Sequence, residues 1–182
     1  MKKNVFSVML VFLACGFAAT AQTEKGNWLV GGDVKLNTAN KNTTIAFSPS
    51  AGYFIANNLA VGANVLFSYT KVNDAKTTSI GAGPFARYYF GTMNIRPFVF
   101  GDVNFVSTKT KVNSTATTST GSSYDLGAGL AAFINRNVAI EGKAGYNHVA
   151  YEKQDGSGGS ALSIGFQVYL SRAQVANLKS NL

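Results

Sequence analysis

The 182-residue sequence contains one cysteine, one histidine and few charged residues. The lone cysteine, Cys15, excludes an intrachain disulfide, and the lone histidine, His148, leaves no Cys/His set with the spacing of a metal site. Charged residues make up 13% of the chain, against about 25% in a usual soluble domain. After the N-terminal segment, no stretch has the ~18 continuous apolar residues of a membrane helix. These absences exclude a disulfide-held fold, a Cys/His metal centre and a helical membrane protein, and we expect no cofactor.

Residues 1–21 have the organisation of a secretory signal peptide. Two lysines precede an apolar run over residues 5–19, and residues 19–21, Ala-Thr-Ala, have a small-x-small pattern. We therefore expect cleavage before Gln22 and export of the remainder. The alternative is a lipoprotein signal that uses Cys15, but Phe12 does not match the usual leucine and the apolar run continues past the cysteine.

The stretch "NWLVGGDVKLN" (27–37) alternates between apolar and polar or small residues. Side chains on a strand point to opposite faces with period two, so this alternation predicts a strand with one apolar face. The same pattern recurs in seven further segments, which are 45–54, 59–69, 78–90, 96–105, 124–134, 138–148 and 161–170. The sequence thus predicts an all-β fold of eight strands, and the last dozen residues are the one segment compatible with a helix.

The connections between these segments alternate in length. Three are tight and rich in Asn or Gly, namely "IANN", "GTMN" and "NRN". The others are longer and polar, and we expect them to be loops, with a solvated, mobile loop over the Ser/Thr-rich residues 107–123. Short turns at one end and long loops at the other are typical of transmembrane β-barrels, whose long loops are extracellular.

The residue composition of the second face of each strand indicates whether the apolar face contacts protein or lipid. This face is mostly Gly, Ala, Ser and Asn, whereas a water-facing surface would carry far more Lys and Glu. The lumen of an eight-stranded barrel has room for little more than small side chains. We therefore expect the apolar face to contact lipid, and the alternative is a secreted soluble barrel or sandwich.

The charges on the second face are balanced. Four acidic residues oppose four basic ones, namely Asp33, Asp102, Asp125 and Glu141 against Lys35, Arg87, Arg96 and Lys143. Because buried charges must be paired or hydrogen-bonded, we expect an ion-paired network that fills the lumen. The alternative role for these charges is a transport pathway.

The aromatic residues of the apolar face predict two belts. One set falls at the expected periplasmic rim, namely Trp28, Tyr53, Tyr88 and Phe90. The other set falls at the expected outer rim, namely Phe67, Tyr69, Phe105, Tyr124 and Tyr146. Aromatic girdles at both membrane interfaces are expected of a transmembrane barrel.

The segment "SIGFQVYL" fits a polar-x-Gly-x-x-apolar-x-apolar pattern through Ser163, Gly165, Val168 and Leu170. With "GYFIANNLAVGANVLFSY", it makes residues 26–170 resemble the small outer-membrane β-barrels of Gram-negative bacteria, the OmpA/OmpX-like family. The resemblance implies an eight-stranded antiparallel up-and-down barrel over 22–170 and an assembly signal for the barrel-assembly machinery. It also implies a monomer in the outer membrane, with residues 171–182 as a short periplasmic tail.

Three functions remain open at this point. The first is a structural or surface-interaction barrel among outer-membrane lipids, whose basic loops contact lipopolysaccharide phosphates through Lys41, Lys71, Lys76, Lys109, Lys111 and Lys153. The second is a small-conductance channel, and the third is a lipid-modifying enzyme. Nothing near His148 repeats a nucleophile–base arrangement, so we do not expect an enzyme. Export also argues against nucleic acid as the partner of this basic chain, whose net charge is +8.

Overall fold

A computed structural model describes residues 23–39, 42–72, 75–112, 115–151 and 154–180. Within them lie eight strands and one helix: β1 Trp28–Ala39, β2 Asn42–Ala56, β3 Leu59–Val72, β4 Ala75–Tyr89, β5 Ile95–Val112, β6 Thr115–Phe133, β7 Val138–Tyr151, β8 Gln154–Leu170 and α1 Arg172–Ser180. No helix in this part of the chain is long and apolar enough to cross a membrane. The expected signal peptide, residues 1–21, lies outside the described residues.

The eight strands form one closed barrel. Each strand pairs antiparallel with the next, and β8 pairs with β1 from Trp28↔Leu170 to Val34↔Ile164, which closes the sheet. The predicted eight-stranded antiparallel barrel is therefore confirmed. Each strand thus has a hydrogen-bonded neighbour on both sides in the part of the barrel near its first and last residues, as a barrel that spans a membrane requires.

The strands are longer than the apolar alternation predicted. β5 and β6 remain paired from Ile95↔Ala132 to Val112↔Thr115, so the Ser/Thr-rich residues 107–112 and 115–123 form a ladder. The expectation of long loops, and of a mobile loop over 107–123, is wrong. Thr and Val favour extended backbone, and the strands continue past the point where apolar residues stop marking their outer face.

The other end of the barrel has short connections, at residues 57–58, 90–94 and 134–137, and is called the short-turn end below. In the first of these turns Asn58 adopts a left-handed backbone conformation (φ 67°), which Asn tolerates better than most residues. Its backbone N–H donates to the carbonyl oxygen of Thr23 over 2.7 Å. The segment before β1 is therefore fastened to the short-turn end.

The helix α1 is also fastened to this end. Gln174 accepts from the backbone N–H of Ser171 over 2.9 Å, and the backbone N–H of Gln174 donates to the hydroxyl of Ser171 over 3.3 Å. This reciprocal pair is a capping box that starts the helix. The side-chain amide of Asn137, in a short turn, donates to Gln174 over 2.9 Å.

The buried core lies inside the barrel. Large apolar side chains on the outer face stay exposed, as shown by Phe105 and Leu162, with 75% and 76% exposed surface. On the inner face a cluster of rings and aliphatic groups is buried near the short-turn end, built around Leu29, Phe54, Tyr89, Phe98 and Tyr169. The expected assignment of faces agrees with this burial, but the lumen is not lined by small residues alone.

Candidate functional site

Four charged side chains meet across the lumen and are called the charge network below: Asp33, Arg87, Glu141 and Lys143. The Nη1 of Arg87 lies 2.9 Å from Oε2 of Glu141, and its Nη2 lies 3.6 Å from Oδ2 of Asp33. The Nζ of Lys143 lies 2.5 Å from the same Asp33 oxygen. These residues come from β1, β4 and β7, so the network ties distant parts of the barrel wall together. Its two positive and two negative charges satisfy the requirement that buried charges be paired.

A second ion pair lies further from the short-turn end. The Nζ of Lys35 is 3.3 Å from Oδ1 of Asp125, and the side-chain amide of Asn147 donates to Oδ2 of Asp125 over 2.8 Å. The side chain of Lys35 is 32% exposed, far more than the buried charges of the network. This pair is therefore in contact with solvent.

Arg96, which the sequence placed in the same lumen network, lies at the short-turn end instead. Its guanidinium donates to the Thr23 hydroxyl over 2.7 Å and to the Met93 carbonyl over 3.1 Å. It also lies over the ring of Phe133, 5.0 Å from the centroid. Because Arg96 is at the beginning of β5, it closes the turn before that strand and links it to the segment before β1.

Asp102, the remaining predicted member, stands directly across from Asp125 in the β5–β6 register. Its Oδ1 accepts from the side-chain amide of Asn104 over 2.6 Å. Among the described residues, no Lys or Arg nitrogen lies within 4.0 Å of its carboxylate. The expected balance of four charges against four is thus not a single network, because Arg96 lies at the other end of β5.

A set of buried rings adjoins the charge network and is called the aromatic layer below: Phe54, Tyr89, Phe98 and Tyr169 towards the short-turn end, and Phe85 on the other side of Arg87. The hydroxyls of Tyr169 and Tyr89 donate to Oε1 of Glu141 over 2.9 and 3.3 Å. The Tyr89 ring lies 5.2 Å from that of Phe98 and 5.9 Å from that of Phe54. Such ring contacts stabilise a fold beyond the effect of the area that they bury. Because the tyrosine hydroxyls also bond to Glu141, the rings and the charge network form one continuous plug.

Glycines on neighbouring strands make room for these rings. A Cβ added at Gly52 or Gly62 would lie 2.8 or 2.7 Å from the ring of Phe85, and one at Gly129 would lie 2.5 Å from the ring of Phe98. In the lumen, large rings therefore lie against glycines, which have no side chain. Sequence reasoning missed the aromatic layer, although each of its members has the inward parity of its strand, a signal that could have found it.

A small cavity lies on the other side of the charge network from Tyr89 and Tyr169, with Phe85 of the aromatic layer in its wall. Its volume is about 40 Å³, and its polar lining is Asp33, Arg87 and Lys143 of the charge network, the ion pair of Lys35 and Asp125, Asp102 and Asn104. One water needs about 10–15 Å³ of such volume, so the cavity has room for about two to four waters. That is a pocket within a filled lumen.

The predicted belt residues lie on the outer surface of the barrel. Trp28 packs edge-on against Tyr53 at 5.3 Å, and Tyr88 packs against Phe90 at 5.0 Å. The other five are also outward, namely Phe67, Tyr69, Phe105, Tyr124 and Tyr146. Their place on the lipid-side surface fits interfacial residues, while their depth in a membrane stays a prediction.

The expected assembly signal lies on the strand that closes the barrel. Ser163 and Gly165 face the lumen, while Val168 and Leu170 pair with Val30 and Trp28 of β1. A Cβ at Gly165 would collide with the Asp33 carboxylate. The motif glycine thus has a structural role beside its predicted role in recognition.

The fold and lumen together define a class, the small closed eight-stranded barrel with an apolar exterior and a plugged interior. A family model for the outer membrane protein beta-barrel domain matches residues 7–169, and the chain belongs to this family. It is therefore an outer-membrane β-barrel protein. A search of curated protein sequences finds no match.

Three solved structures share the fold. Neisserial surface protein A is 17% identical, with a TM-score of 0.65 over 79% of this chain and 97% of that one. The N-terminal β-barrel domain of Pseudomonas aeruginosa OprF is 14% identical, with a TM-score of 0.59 over 80% and 98%. Ail, the attachment invasion locus protein of Yersinia pestis, is 13% identical, with a TM-score of 0.54 over 80% and 99%. At these identities the likeness concerns the fold alone.

Proposed function

We propose that this protein is an integral outer-membrane barrel with a structural or surface-interaction role and a lumen that does not conduct. The observation that carries the proposal is the plug, in which Glu141 joins the charge network to the aromatic layer. Its side chain is fully buried and bonds to Arg87, Tyr89 and Tyr169. The space that eight strands enclose is narrow enough for side chains to fill. Here the side chains that fill it are joined by ion pairs and hydrogen bonds.

The proposed orientation places the short-turn end in the periplasm and the opposite end outside the cell. Transmembrane barrels have short periplasmic turns and longer extracellular segments, and at the opposite end the strands themselves extend past the apolar exterior, as β5 and β6 do over 107–112 and 115–123. With this orientation α1 would lie in the periplasm as part of the tail 171–182. Residues 1–21 would direct export and be removed. The motif on β8 would be recognised by the barrel-assembly machinery, after which the closed barrel would function as a monomer.

The proposed surroundings are outer-membrane lipids and lipopolysaccharide. The barrel exterior exposes a continuous set of Val, Ile, Leu and Phe side chains. Such a surface would be an aggregation hazard in water, whereas in a bilayer it is matched to the acyl chains. The outward aromatic residues at both ends are of the kind that anchor a barrel at the two interfaces.

The proposed role is not enzymatic. His148, the only histidine of the chain, stacks on Tyr124 with ring centroids 5.1 Å apart. Among the described residues, no hydrogen bond or ion pair joins it to a serine or a carboxylate, and no group of three or more His, Cys, Asp or Glu could hold a metal ion. An interfacial ring explains this geometry better than a general base does.

The test begins with the outer-membrane fraction, run on a denaturing gel with and without boiling. We expect the protein in that fraction, with an unboiled band that migrates differently because the barrel resists the detergent. Purified protein is then inserted into planar bilayers, where we expect no steady conductance. Stable small openings would support the alternative, a small-conductance channel, while a soluble protein without a heat-dependent shift would overturn the membrane proposal.

A further inference from the structure

Four lysines lie together at the end of the barrel opposite the short turns. Lys71 is on β3, Lys76 on β4, and Lys109 and Lys111 are on β5. All four side chains are exposed and have the outward parity of their strands. They are called the lysine row below. Two other lysines expected near this end, Lys41 and Lys153, lie outside the described residues.

The register brings these charges into direct opposition. Lys71 pairs with Lys76 across β3–β4, and Lys76 pairs with Lys111 across β4–β5. Neighbouring strands are about 4.8 Å apart, so three ammonium-bearing side chains leave the sheet within about 10 Å. Like charges directly opposite one another are destabilising. An anion seated between them would remove that repulsion.

No carboxylate of the described residues lies within 4.0 Å of the lysine row. The sequence adds one acidic residue nearby, Asp74, in the β3–β4 connection outside the described residues. Segments 71–76 and 109–111 together hold four lysines and one aspartate, a net charge of +3. The row is therefore a cationic patch even if that carboxylate is close.

The row lies just beyond the apolar exterior. On β3, Lys71 is two residues past the exposed ring of Tyr69, and on β5, Lys109 is four residues past Phe105. At about 3.3 Å per residue these separations are about 7 and 13 Å along strands that tilt by some 40°. Lysine side chains there reach the headgroup layer, which begins where the hydrocarbon ends.

The next strand, β6, and the more distant strand β8 differ from the row. The outward residues of β6 at this level are Ala116, Thr118, Thr120 and Ser122, and β8 presents Gly156, Gly158 and Ser160. None of these carries a charge. Among the described residues, the lysines of this rim thus lie together on β3, β4 and β5.

We infer that the lysine row is a binding site for the phosphate groups of a glycolipid in the outer leaflet. The inference rests on the proposed orientation, which puts this rim outside. The acyl chains of the lipid would pack on the exterior around Tyr69 and Phe105, while its phosphates lie between Lys71, Lys76 and Lys111. The barrel would then hold a particular lipid on one side.

The test uses the full-length folded barrel in zwitterionic detergent, titrated with bisphosphorylated lipid A and followed by native mass spectrometry. The key variant is Lys71→Gln/Lys76→Gln/Lys111→Gln. At about fivefold in affinity per lysine near an anionic surface, the triple change should weaken binding by on the order of 100-fold. Without lipid, the variant should be at least as stable as the parent, since repulsion within the row is gone.

Two controls make the position of the charge decisive. Lys25→Gln, at the short-turn end, should leave lipid A affinity unchanged. Adding Ala150→Lys and Ser160→Lys to the triple variant returns two positive charges to β7 and β8, away from the row, and should not restore affinity. Restored affinity, or equal loss with Lys25→Gln, would show a general charge effect and overturn the site.

The chemistry of the ligand is tested in parallel. Dephosphorylated lipid A should bind at least tenfold more weakly than the bisphosphorylated form, and inorganic phosphate should not compete at millimolar concentration. Competition by inorganic phosphate would overturn the glycolipid assignment in favour of a free-anion site. If the barrel is folded, heat-modifiable and non-conducting yet binds both lipids equally, this inference fails while the proposed function stands.

Discussion

The half of the lumen near the short turns and the half near the opposite end are built from different chemistry. The first contains the aromatic layer and the charge network, in which Glu141 and Tyr89 are fully buried. The second is lined by hydroxyls that pair across strands, such as Ser79 with Thr108 at 2.8 Å and Thr77 with Thr110 at 3.2 Å. The half near the short turns is thus a packed core. The half near the opposite end is lined by hydroxyl groups and is called the vestibule below.

This difference indicates which half of the barrel fixes the register of strand pairing. A slip of one residue would turn every side chain of a strand to the opposite face, and near the short turns that would place Arg87 or Glu141 in lipid. Near the opposite end the same slip would exchange small polar residues on β6, and threonines with lysines on β3–β5, at a rim in contact with solvent. We therefore expect the plug to determine strand pairing and stability, and the vestibule to tolerate changes.

The largest effect is expected from breaking the charge network. Arg87→Leu leaves Glu141 buried without its cation, which should lower the free energy of unfolding by about 3–5 kcal/mol. Equilibrium unfolding by urea in phospholipid vesicles measures the change. Adding Glu141→Gln removes the stranded charge while keeping acceptors for both tyrosines, so the double variant should recover part of the loss. A cost below 1 kcal/mol for Arg87→Leu would mean that the network does not hold the plug.

How much of this plug the sequence predicts depends on the residue. Alternation assigned Asp33, Arg87 and Glu141 to the inner face, and all three are there. It could not assign partners, since the register and shear of the closed barrel decide which strands face each other across the lumen. Arg96 shows the limit, because its inward parity is right but its position at the beginning of β5 takes it to the turn.

The aromatic layer was missed for a different reason. The expectation of small lumen residues came from the average width of an eight-stranded barrel. A large ring fits into this narrow lumen because Phe85 lies against Gly52 and Gly62, which have no side chain. Parity alone places the ring inside, but only the three-dimensional pairing shows that glycines receive it.

A matched pair of glycine substitutions tests that pairing. In Gly129→Ala the new Cβ would lie 2.5 Å from the Phe98 ring and 2.7 Å from a backbone oxygen, so we expect a loss of about 1–3 kcal/mol in unfolding free energy. Gly142→Ala, on the adjacent strand, points outward with nothing within 4 Å of its Cβ. It should be neutral or stabilising by up to about 1 kcal/mol. Equal effects in vesicle unfolding would contradict a packed interior on this side.

A smaller effect of opposite sign is expected at Asp102. Since this carboxylate faces Asp125 in the register and has no described cation within 4.0 Å, Asp102→Asn should raise the unfolding free energy by about 0.2–1 kcal/mol. Asp125→Asn is the comparison, because it removes the partner of Lys35 and should be neutral or destabilising. Thermal midpoints from heat-dependent gel migration rank the two variants, and destabilisation by Asp102→Asn would show that this carboxylate has a stabilising partner.

The smallest effect is expected in the vestibule. Thr77→Val removes a hydroxyl that lies 3.2 Å from Thr110, but both side chains are half-buried at a wet rim and water can replace the lost partner. Valine also suits an extended strand. The unfolding free energy should therefore change by less than about 0.5 kcal/mol, the usual range away from buried features. A loss of more than 1 kcal/mol in vesicles would mean that the hydroxyl ladders exclude water, and the vestibule would then have to be counted as part of the core.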